Sequence, residues 1–343
     1  MSFRVSIRQW PSPFSVAAGG TVLEAALAAD VPFPHGCRSG NCGACKCRLE
    51  AGSVDLKPHS HFALGQEEKD SGLILACRAV PREDLHLAWL QDDAELAAHP
   101  LSRFTGEVLS VDALTHDIRR VRIAPPPGMR MEFSAGQYAR LTFAGQPPRD
   151  YSMASRPDQT VLDFHIRAVA DGSASSYVAE RLTAGETVEV EGPFGSSWLR
   201  ERHRGPIVAI AGGSGLAPIS SIVETAIAKD LPQPIYLYAG FRDERDVYLE
   251  ERLGELARAH PKLSVTIVLS EPSGPTERRV GFVSDVVGAD FDDLDGCKAY
   301  LAGPPVMVEA AVEMLEMRDM RPEDIHADAF YTEAEKAALD RTS

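Results

Sequence analysis

Pro34-His35-Gly36-Cys37-Arg38-Ser39-Gly40-Asn41-Cys42-Gly43-Ala44-Cys45-Lys46-Cys47 holds three cysteines in a C-x4-C-x2-C run. With Cys77 downstream, Cys37, Cys42, Cys45 and Cys77 have the plant-type spacing of [2Fe–2S] ligands. Such a cluster carries one electron at a time and makes no bonds, so the rest of the chain must supply a source and a destination for electrons. Gly36, Gly40 and Gly43 permit positive φ and let backbone N–H groups approach the sulfides, which helps set a potential of roughly −400 mV. Zinc is the second reading, but its sites favour paired C-x2-C or H-x3-H knuckles, whereas here three ligands share one glycine-rich loop. A Rieske centre needs two histidine ligands, and His59 and His61 read as solvated side chains of a polar loop. Cys47, two residues past a ligand on an expected strand, and Cys297, before an apolar strand, read as small buried thiols. A chain of 343 residues buries its own core and needs no disulfide framework.

Outward from the loop, residues 1–92 form the first expected domain. Phe3, Val5 and Ile7 alternate like a strand, then Thr21-Val22-Leu23-Glu24 reads as a capping box opening a helix with Leu23, Ala26 and Leu27 inward. A strand through Lys46–Leu49, a short polar helix at Gln66–Asp70, a strand ending at Cys77 and a last strand with Leu85, Leu87 and Trp89 follow. This block resembles the β-grasp of plant-type [2Fe–2S] ferredoxin domains. Gln91–Ser102, with His99-Pro100, reads as a linker.

Residues 101–203 carry short strands punctuated by glycine and proline, at Phe104–Val111, Ile118–Ile123, Tyr138–Phe143, Val161–Arg167 and Thr187–Glu191, which predicts an antiparallel β-barrel. Residues 204–343 alternate apolar strands (Ile207–Ala211, Ile235–Ala239, Leu263–Leu269, Lys298–Ala302, Ile325–Ala327) with helices near Pro218–Lys229, Val247–Ala259 and Val306–Arg318. That pattern predicts an α/β doubly wound parallel sheet covered on both faces.

A formal charge of −15 argues against nucleic acid and anionic membrane as partners, and says little about protein partners, whose docking depends on local patches. Arg119, Arg120 and Arg122 read as an exposed strand face. No apolar run approaches the ~20 residues of a membrane span. Reduced cysteines and no export signal predict the cytoplasm.

Ile207–Ala211 runs into Gly212-Gly213-Ser214-Gly215-Leu216-Ala217-Pro218, a strand, glycine turn and helix opening suited to a pyrophosphate; Pro218 fits the first helical turn, where no donor is needed. A plain tight turn is the alternative. Ala302-Gly303-Pro304-Pro305-Val306-Met307 follows the fourth strand in the same way, and the first and fourth strands of such a sheet flank its ligand crevice. Two open turns at one crevice favour a dinucleotide. In the barrel, Arg149-Asp150-Tyr151-Ser152 is weak alone, but His165-Ile166-Arg167 and Gly172-Ser173-Ala174-Ser175, opening a helix at Tyr177–Leu182, add a cation and a helix end fit for an anion.

With Thr115–Arg120, Phe133–Tyr138 and Ala327–Tyr331, these motifs make the chain resemble the ferredoxin–flavin–NAD reductase components of bacterial ring-hydroxylating dioxygenases, through about Tyr331. The resemblance implies FAD in the barrel: Arg149 pairs its diphosphate, Tyr151 lies along the flavin, Ser152 bonds near N5, the His165–Arg167 strand lines it, and Gly172 to Ser175 hold the diphosphate. It implies NAD on Gly213, Ser214, Gly215 and Pro218 and on Gly303, Pro304 and Met307. Phe330 covers the nicotinamide-facing side of the ring, with Tyr331 the competitor. Relatives often have cysteine where Ala302 stands, so no expectation about hydride-transfer rate carries over. Thr332–Ser343 runs past the family's usual end as a polar, frayed tail.

The implied path runs from NADH through FAD and the cluster to a Rieske-type ferredoxin or a terminal oxygenase, with the protein positioning cofactors and supplying no general acid or base. Arg242 and Asp246 follow the second nucleotide-domain strand, where a ribose would lie; Asp246 near a free 2′-OH favours NADH, and Arg242 could tolerate the 2′-phosphate of NADPH. Two alternatives remain at this level: the same electron chain serving a di-iron monooxygenase or a deoxysugar dehydratase, and a redox-sensing ferredoxin-like protein with vestigial flavin and NAD sites.

Overall fold

The computed structural model describes residues 2–35, 38, 40, 43–59, 63–90, 99–170 and 172–335. The chain divides into two compact units, one of Met1–Ala98 with Tyr331–Ser343, the other of His99–Phe330.

In the first unit the elements are β1 (Ser2–Ile7), β2 (Trp10–Ala17), α1 (Val22–Ala28), β3 (Lys46–Ala51), β4 (Val54–Leu56), α2 (Gln66–Asp70), β5 (Leu73–Leu75), β6 (Ala79–Pro81) and β7 (Leu85–Trp89). The main sheet runs β2-β1-β7-β3-β5, with β1 and β7 parallel and the other pairs antiparallel. This is the mixed sheet of a β-grasp ferredoxin. The capping box of α1 is made as predicted: Glu24 N–H donates to Thr21 Oγ1 and Thr21 N–H to Glu24 Oε2. Leu23 and Ala26 are buried under the helix, but Leu27 is only partly buried, packed against the core's edge. The sequence reading has no strand at 10–17. Pro11 and Pro13 hide it, yet β2 is an edge strand, where a missing ladder donor is tolerated.

The second unit opens with a barrel of β8 (Ser102–Ala113), β9 (Ile118–Ala124), β10 (Tyr138–Phe143), β11 (Arg149–Ser152), β12 (Leu162–Arg167), α3 (Ser173–Glu180) and β13 (Thr187–Phe194). Its order is β11-β10-β13-β8-β9-β12, all antiparallel, and a Met153–Phe164 bridge joins the two ends. Next come β14 (Ile207–Gly212), α4 (Leu216–Ala228), β15 (Ile235–Phe241), α5 (Glu250–Ala259), β16 (Leu263–Leu269), β17 (Arg279–Val280), α6 (Val283–Asp290), β18 (Lys298–Gly303), α7 (Pro305–Glu316) and β19 (Ile325–Ala329). They build a six-stranded parallel sheet, β17-β16-β15-β14-β18-β19. Strand order reverses between β14 and β18, as the sequence predicts.

Along β14 the side chains alternate between two cores. Ile207, Ala209 and Ala211 pack with α4 and α5, while Val208 and Ile210 pack with α6 and α7. Ile118, Ala135 and Leu199 of the barrel join the first core, which welds barrel and parallel sheet into one body. Two elements here escape the sequence. The strand β17 is two exposed residues, and α6 carries three valines and Gly288, all poor helix formers held by tertiary packing. Val247 also precedes its helix, which starts at Glu250 after a 3-10 turn at Glu244–Asp246.

Candidate functional sites

Of the four expected cluster ligands, Cys37 and Cys42 lie outside the described residues, as does Gly36. Cys45 and Cys77 are brought together, both buried, with Cys77 N–H donating to Cys45 Sγ at 3.4 Å. Ala76 N–H also binds Cys45 O, and Leu23 N–H binds Ala76 O, so α1 and the loop share one scaffold. Gly40 and Gly43 take φ of +81° and +71°, the left-handed region that the tight loop requires. A methyl on Gly40 would meet Arg78 Cγ at 2.8 Å and His59 Cβ at 2.9 Å. Two neighbouring buried cysteines, with a backbone donor aimed at the sulfur of one of them, suit a thiolate-bound cluster. Cys47 is fully buried in the strand core, and burial first, then the Cys77 charge, drives its pKa far up; it is the inert thiol expected. Cys297 is buried as well.

The flavin motif lies on β11, at the barrel's edge. Arg149 is half-buried and its guanidinium donates to Pro148 O at 2.8 Å. Burial pushes the Tyr151 phenol up to about 12, against the pull of Arg149, so it stays neutral. The Phe143 ring stands between Tyr151, at 6.5 Å, and Tyr177 of α3, at 6.2 Å, so this core residue links β11 to the helix whose start carries the second anion motif. Gly172 caps that helix, and Ser175 is committed to closing the turn: its hydroxyl donates to Gly172 O and accepts from Val169 N–H, both at 3.1 Å. At the end of β11, Ser152 Oγ donates to Asp328 Oδ2 of β19 at 3.0 Å. The sequence assigns Asp328 no role; its signal is its place in the Ala327–Tyr331 segment, two residues before Phe330.

The nucleotide turns interlock backbone against backbone. Helix α4 opens through a 3-10 turn at Gly213–Gly215, which places Pro218 in the first α-turn. A side chain on Gly215 would strike the Ala302 carbonyl, and one on Gly303 (φ +150°) would come within 3.0 Å of Gly212. Gly212 in turn faces Met307 Sδ and Pro304 Cδ. Phe330 N–H donates to Gly303 O at 2.9 Å, tying the candidate stacking residue to the β18 turn. Ser214 is half-buried. Such a cradle, with no room for a Cβ at Gly212, Gly215 or Gly303, fits a pyrophosphate.

The same turn is reached from the barrel. A methyl on Gly213 would lie 2.9 Å from an Arg167 guanidinium nitrogen. Arg167 Nε donates to Asp117 Oδ2 at 2.7 Å. Burial works against the Asp117 charge, yet the Thr115 hydroxyl and Arg167 hold its carboxyl below the usual range. Next to it, His116 Nδ1 lies 3.5 Å from Asp246 Oδ1. Asp246 is buried and its Oδ2 accepts from Asp243 N–H, so one of its oxygens is committed to capping, while Arg242 is exposed.

Ile166 packs in the barrel core, and His165 beside it meets Tyr248 edge-on at 5.5 Å. Tyr248 O–H lies 3.3 Å from both His165 Nδ1 and Gly213 O. The hydroxyl therefore donates to Gly213 O and accepts from a neutral His165 protonated at Nδ1. Nothing in the local sequence marks Tyr248, because its partners are far away in the chain. Burial, aided by Arg120, drives the pKa of His165 down to about 3, from 6.5. Between those values the unfolded chain binds the proton first, so this stability is full above about pH 6.5 and declines as pH falls, by up to about 1.4 kcal/mol per unit. The melting temperature is expected to drop between about pH 7 and 4.5, more gently in His165→Gln; equal slopes in scanning calorimetry would refute the assignment.

Among the described residues no helix is long and apolar enough to cross a membrane. Three domain families match the chain: 2Fe-2S iron-sulfur cluster binding domain at residues 9–82, oxidoreductase FAD-binding domain at 105–198 and oxidoreductase NAD-binding domain at 209–313. The ferredoxin–NAD(P)+ reductase component of the naphthalene 1,2-dioxygenase/salicylate 5-hydroxylase systems of Ralstonia sp. is 42% identical over 318 residues, 91% of this chain and 94% of the relative. The reductase component of phenol 2-monooxygenase from Pseudomonas sp. (strain CF600) is 34% identical, covering 98% of this chain and 97% of the relative. Among solved structures, the Amycolatopsis cytochrome P450 reductase superposes with a TM-score of 0.78 at 37% identity, covering 96% of this chain and 98% of that one.

Proposed function

The chain belongs to the ferredoxin–NAD(P)+ reductase components of oxygenase systems, and on that premise we propose that its acceptor is a Rieske-type ferredoxin or the terminal oxygenase of an aromatic-ring-hydroxylating system. It is an NAD(P)H-dependent flavin iron–sulfur oxidoreductase: NADH gives electrons in pairs, FAD accepts pairs and releases single electrons, and the [2Fe–2S] cluster hands them on. The observation that supports this most directly is the meeting of barrel and parallel sheet at one place, where Arg167 lies over Gly213 and Ser152 reaches Asp328.

In this reading Cys37, Cys42, Cys45 and Cys77 hold the cluster. Arg149 and the N–H groups opening α3 at Gly172 take the flavin diphosphate, with Ser175 shaping that turn. Tyr151, Ser152 and the His165–Arg167 strand line the ring. Gly213, Ser214, Gly215 and Pro218, with Gly303, Pro304 and Met307, cradle the dinucleotide, and Phe330 covers the ring from the β18 side. NADH is the assigned donor; Arg242 is the side chain that would meet a 2′-phosphate, so Arg242→Ala should change only NADPH use. The buried free thiols Cys47 and Cys297 agree with a cytoplasmic location.

By donating to Asp328 Oδ2, Ser152 is held in one rotamer with its oxygen left as an acceptor. Ser152→Ala removes a bond worth about 1–1.5 kcal/mol and should slow NADH-driven ferricyanide reduction about tenfold with flavin still bound. An unchanged rate would take Ser152 out of the site. For the pathway itself, anaerobic NADH titration should bleach flavin and then cluster absorbance; bound cluster that ignores NADH, without flavin, would end the proposal. The phenol 2-monooxygenase relative supports a second reading, the same electron chain serving a monooxygenase, which assays against purified oxygenase partners separate from the first.

A further inference from the structure

The backbone is strained next to Tyr248. Leu249, a residue with a Cβ, has φ +57° and ψ 11°, in the left-handed region that favours glycine. It joins the 3-10 turn at Glu244–Asp246 to α5, where Leu253 N–H donates to its carbonyl, and Tyr248 just before it is buried. The Tyr248 ring packs edge-on against His165, at 5.5 Å, and Phe241, at 5.8 Å. Burial drives its phenol far up, so it keeps the proton that it donates to Gly213 O. Gly213 itself sets no direction. Its φ is +53°, and glycine takes either sign at little cost, so the peptide that follows it can turn over. Three contacts oppose that. Leu216 N–H donates to Gly213 O, Arg167 lies against the Gly213 Cα from the barrel side, and the Tyr248 hydroxyl holds the carbonyl from the core. The first belongs to a 3-10 turn, whose bonds have poor geometry. Arg167 is held by Asp117, and His116 beside it reaches Asp246, which caps the turn leading to Tyr248.

We propose that Tyr248 is a positioning residue of the dinucleotide site, one that fixes the Gly213–Ser214 peptide so that the Ser214 N–H is aimed at the pyrophosphate. This deepens the assignment of the glycine turn to NADH and rests on it. In a trans peptide the carbonyl and the N–H point to opposite sides. Holding Gly213 O against the core therefore turns Ser214 N–H away from the core and out of the helix start, where the first amides have no partner within the helix. Buried behind the turn, Tyr248 acts through the peptide it holds. A donor set in advance need not be ordered when the nucleotide arrives. Its loss weakens ground-state and transition-state binding alike and leaves the chemical step alone.

The test uses the complete holoprotein and NADH-driven ferricyanide reduction. Tyr248→Phe keeps the ring in the core and removes only the hydroxyl. It should raise the KM for NADH about five- to tenfold, with kcat within about twofold and flavin and cluster absorbance unchanged. ADP-ribose, which carries the pyrophosphate, should lose affinity as a competitive inhibitor by the same factor, and adenosine, which has no phosphate, should lose none. A residue that only fills space would lower the melting temperature without separating the two inhibitors. An unaltered KM in Tyr248→Phe, where Gly215→Ala raises it, would overturn the role of Tyr248 and leave the turn assigned to the nucleotide. Equal weakening of ADP-ribose and adenosine would overturn it too. A KM unaltered in both variants would bring down the assignment of the turn and this inference with it.

Discussion

Cys45→Ser is expected to give a protein that still reduces ferricyanide with NADH but transfers essentially nothing to one-electron protein acceptors. Cys45 is buried beside Cys77, whose N–H is aimed at its sulfur. A serine hydroxyl there is smaller, harder and protonated at neutral pH, so the thiolate and the bond to it are lost together. The FAD and NAD motifs lie in the other compact unit and keep their own cores. Parallel assays with ferricyanide and cytochrome c, alongside the visible spectrum, measure the split. Cys42→Ser should behave alike. Equal loss of both activities would contradict the order in which the cofactors are assigned to work.

The second large effect concerns a methyl group. Gly215→Ala should destabilise the protein by about 1–3 kcal/mol and raise the KM for NADH about tenfold or more, with flavin retained. The φ of Gly215 is ordinary, −59°, so left-handed strain is not the reason. The obstacle is the Ala302 carbonyl on the neighbouring strand: both groups are backbone, no rotamer relieves the clash, and the β14 and β18 turns must part. Gly254→Ala supplies the control. Gly254 lies within α5 with nothing nearer its added methyl than Arg258 at 3.7 Å, so alanine there should stabilise by roughly 0.5–1 kcal/mol. Thermal melts and NADH saturation curves for both variants decide the matter; an unaltered KM in Gly215→Ala would mean that the turn does not hold the nucleotide.

These glycines also mark how far a one-dimensional reading reaches. The glycine turns after β14 and β18 are visible as letters, and so is their shared crevice, because topology places the first and fourth strands side by side. That Gly215 is pinned by a carbonyl and Gly213 by Arg167 is not visible, since those partners come from distant segments. Ser175 shows the converse. In the sequence it is one more polar group at a helix start, and in the fold its hydroxyl is consumed in closing its own turn. Asp246 likewise spends an oxygen on its own 3-10 turn.

What the letters alone determined is local chemistry: cysteine spacing, strand periods, the capping box of α1 and the glycine turns, each set by residues a few positions apart. Tertiary structure alone decided the pairings across long gaps, Ser152 with Asp328, Arg167 with Asp117 beside Gly213, and Tyr248 between His165 and Gly213. The physical reason is range. Backbone preference and hydrophobic period act over a turn or a strand, whereas a buried hydrogen bond or ion pair depends on which surfaces meet after the sheets have closed.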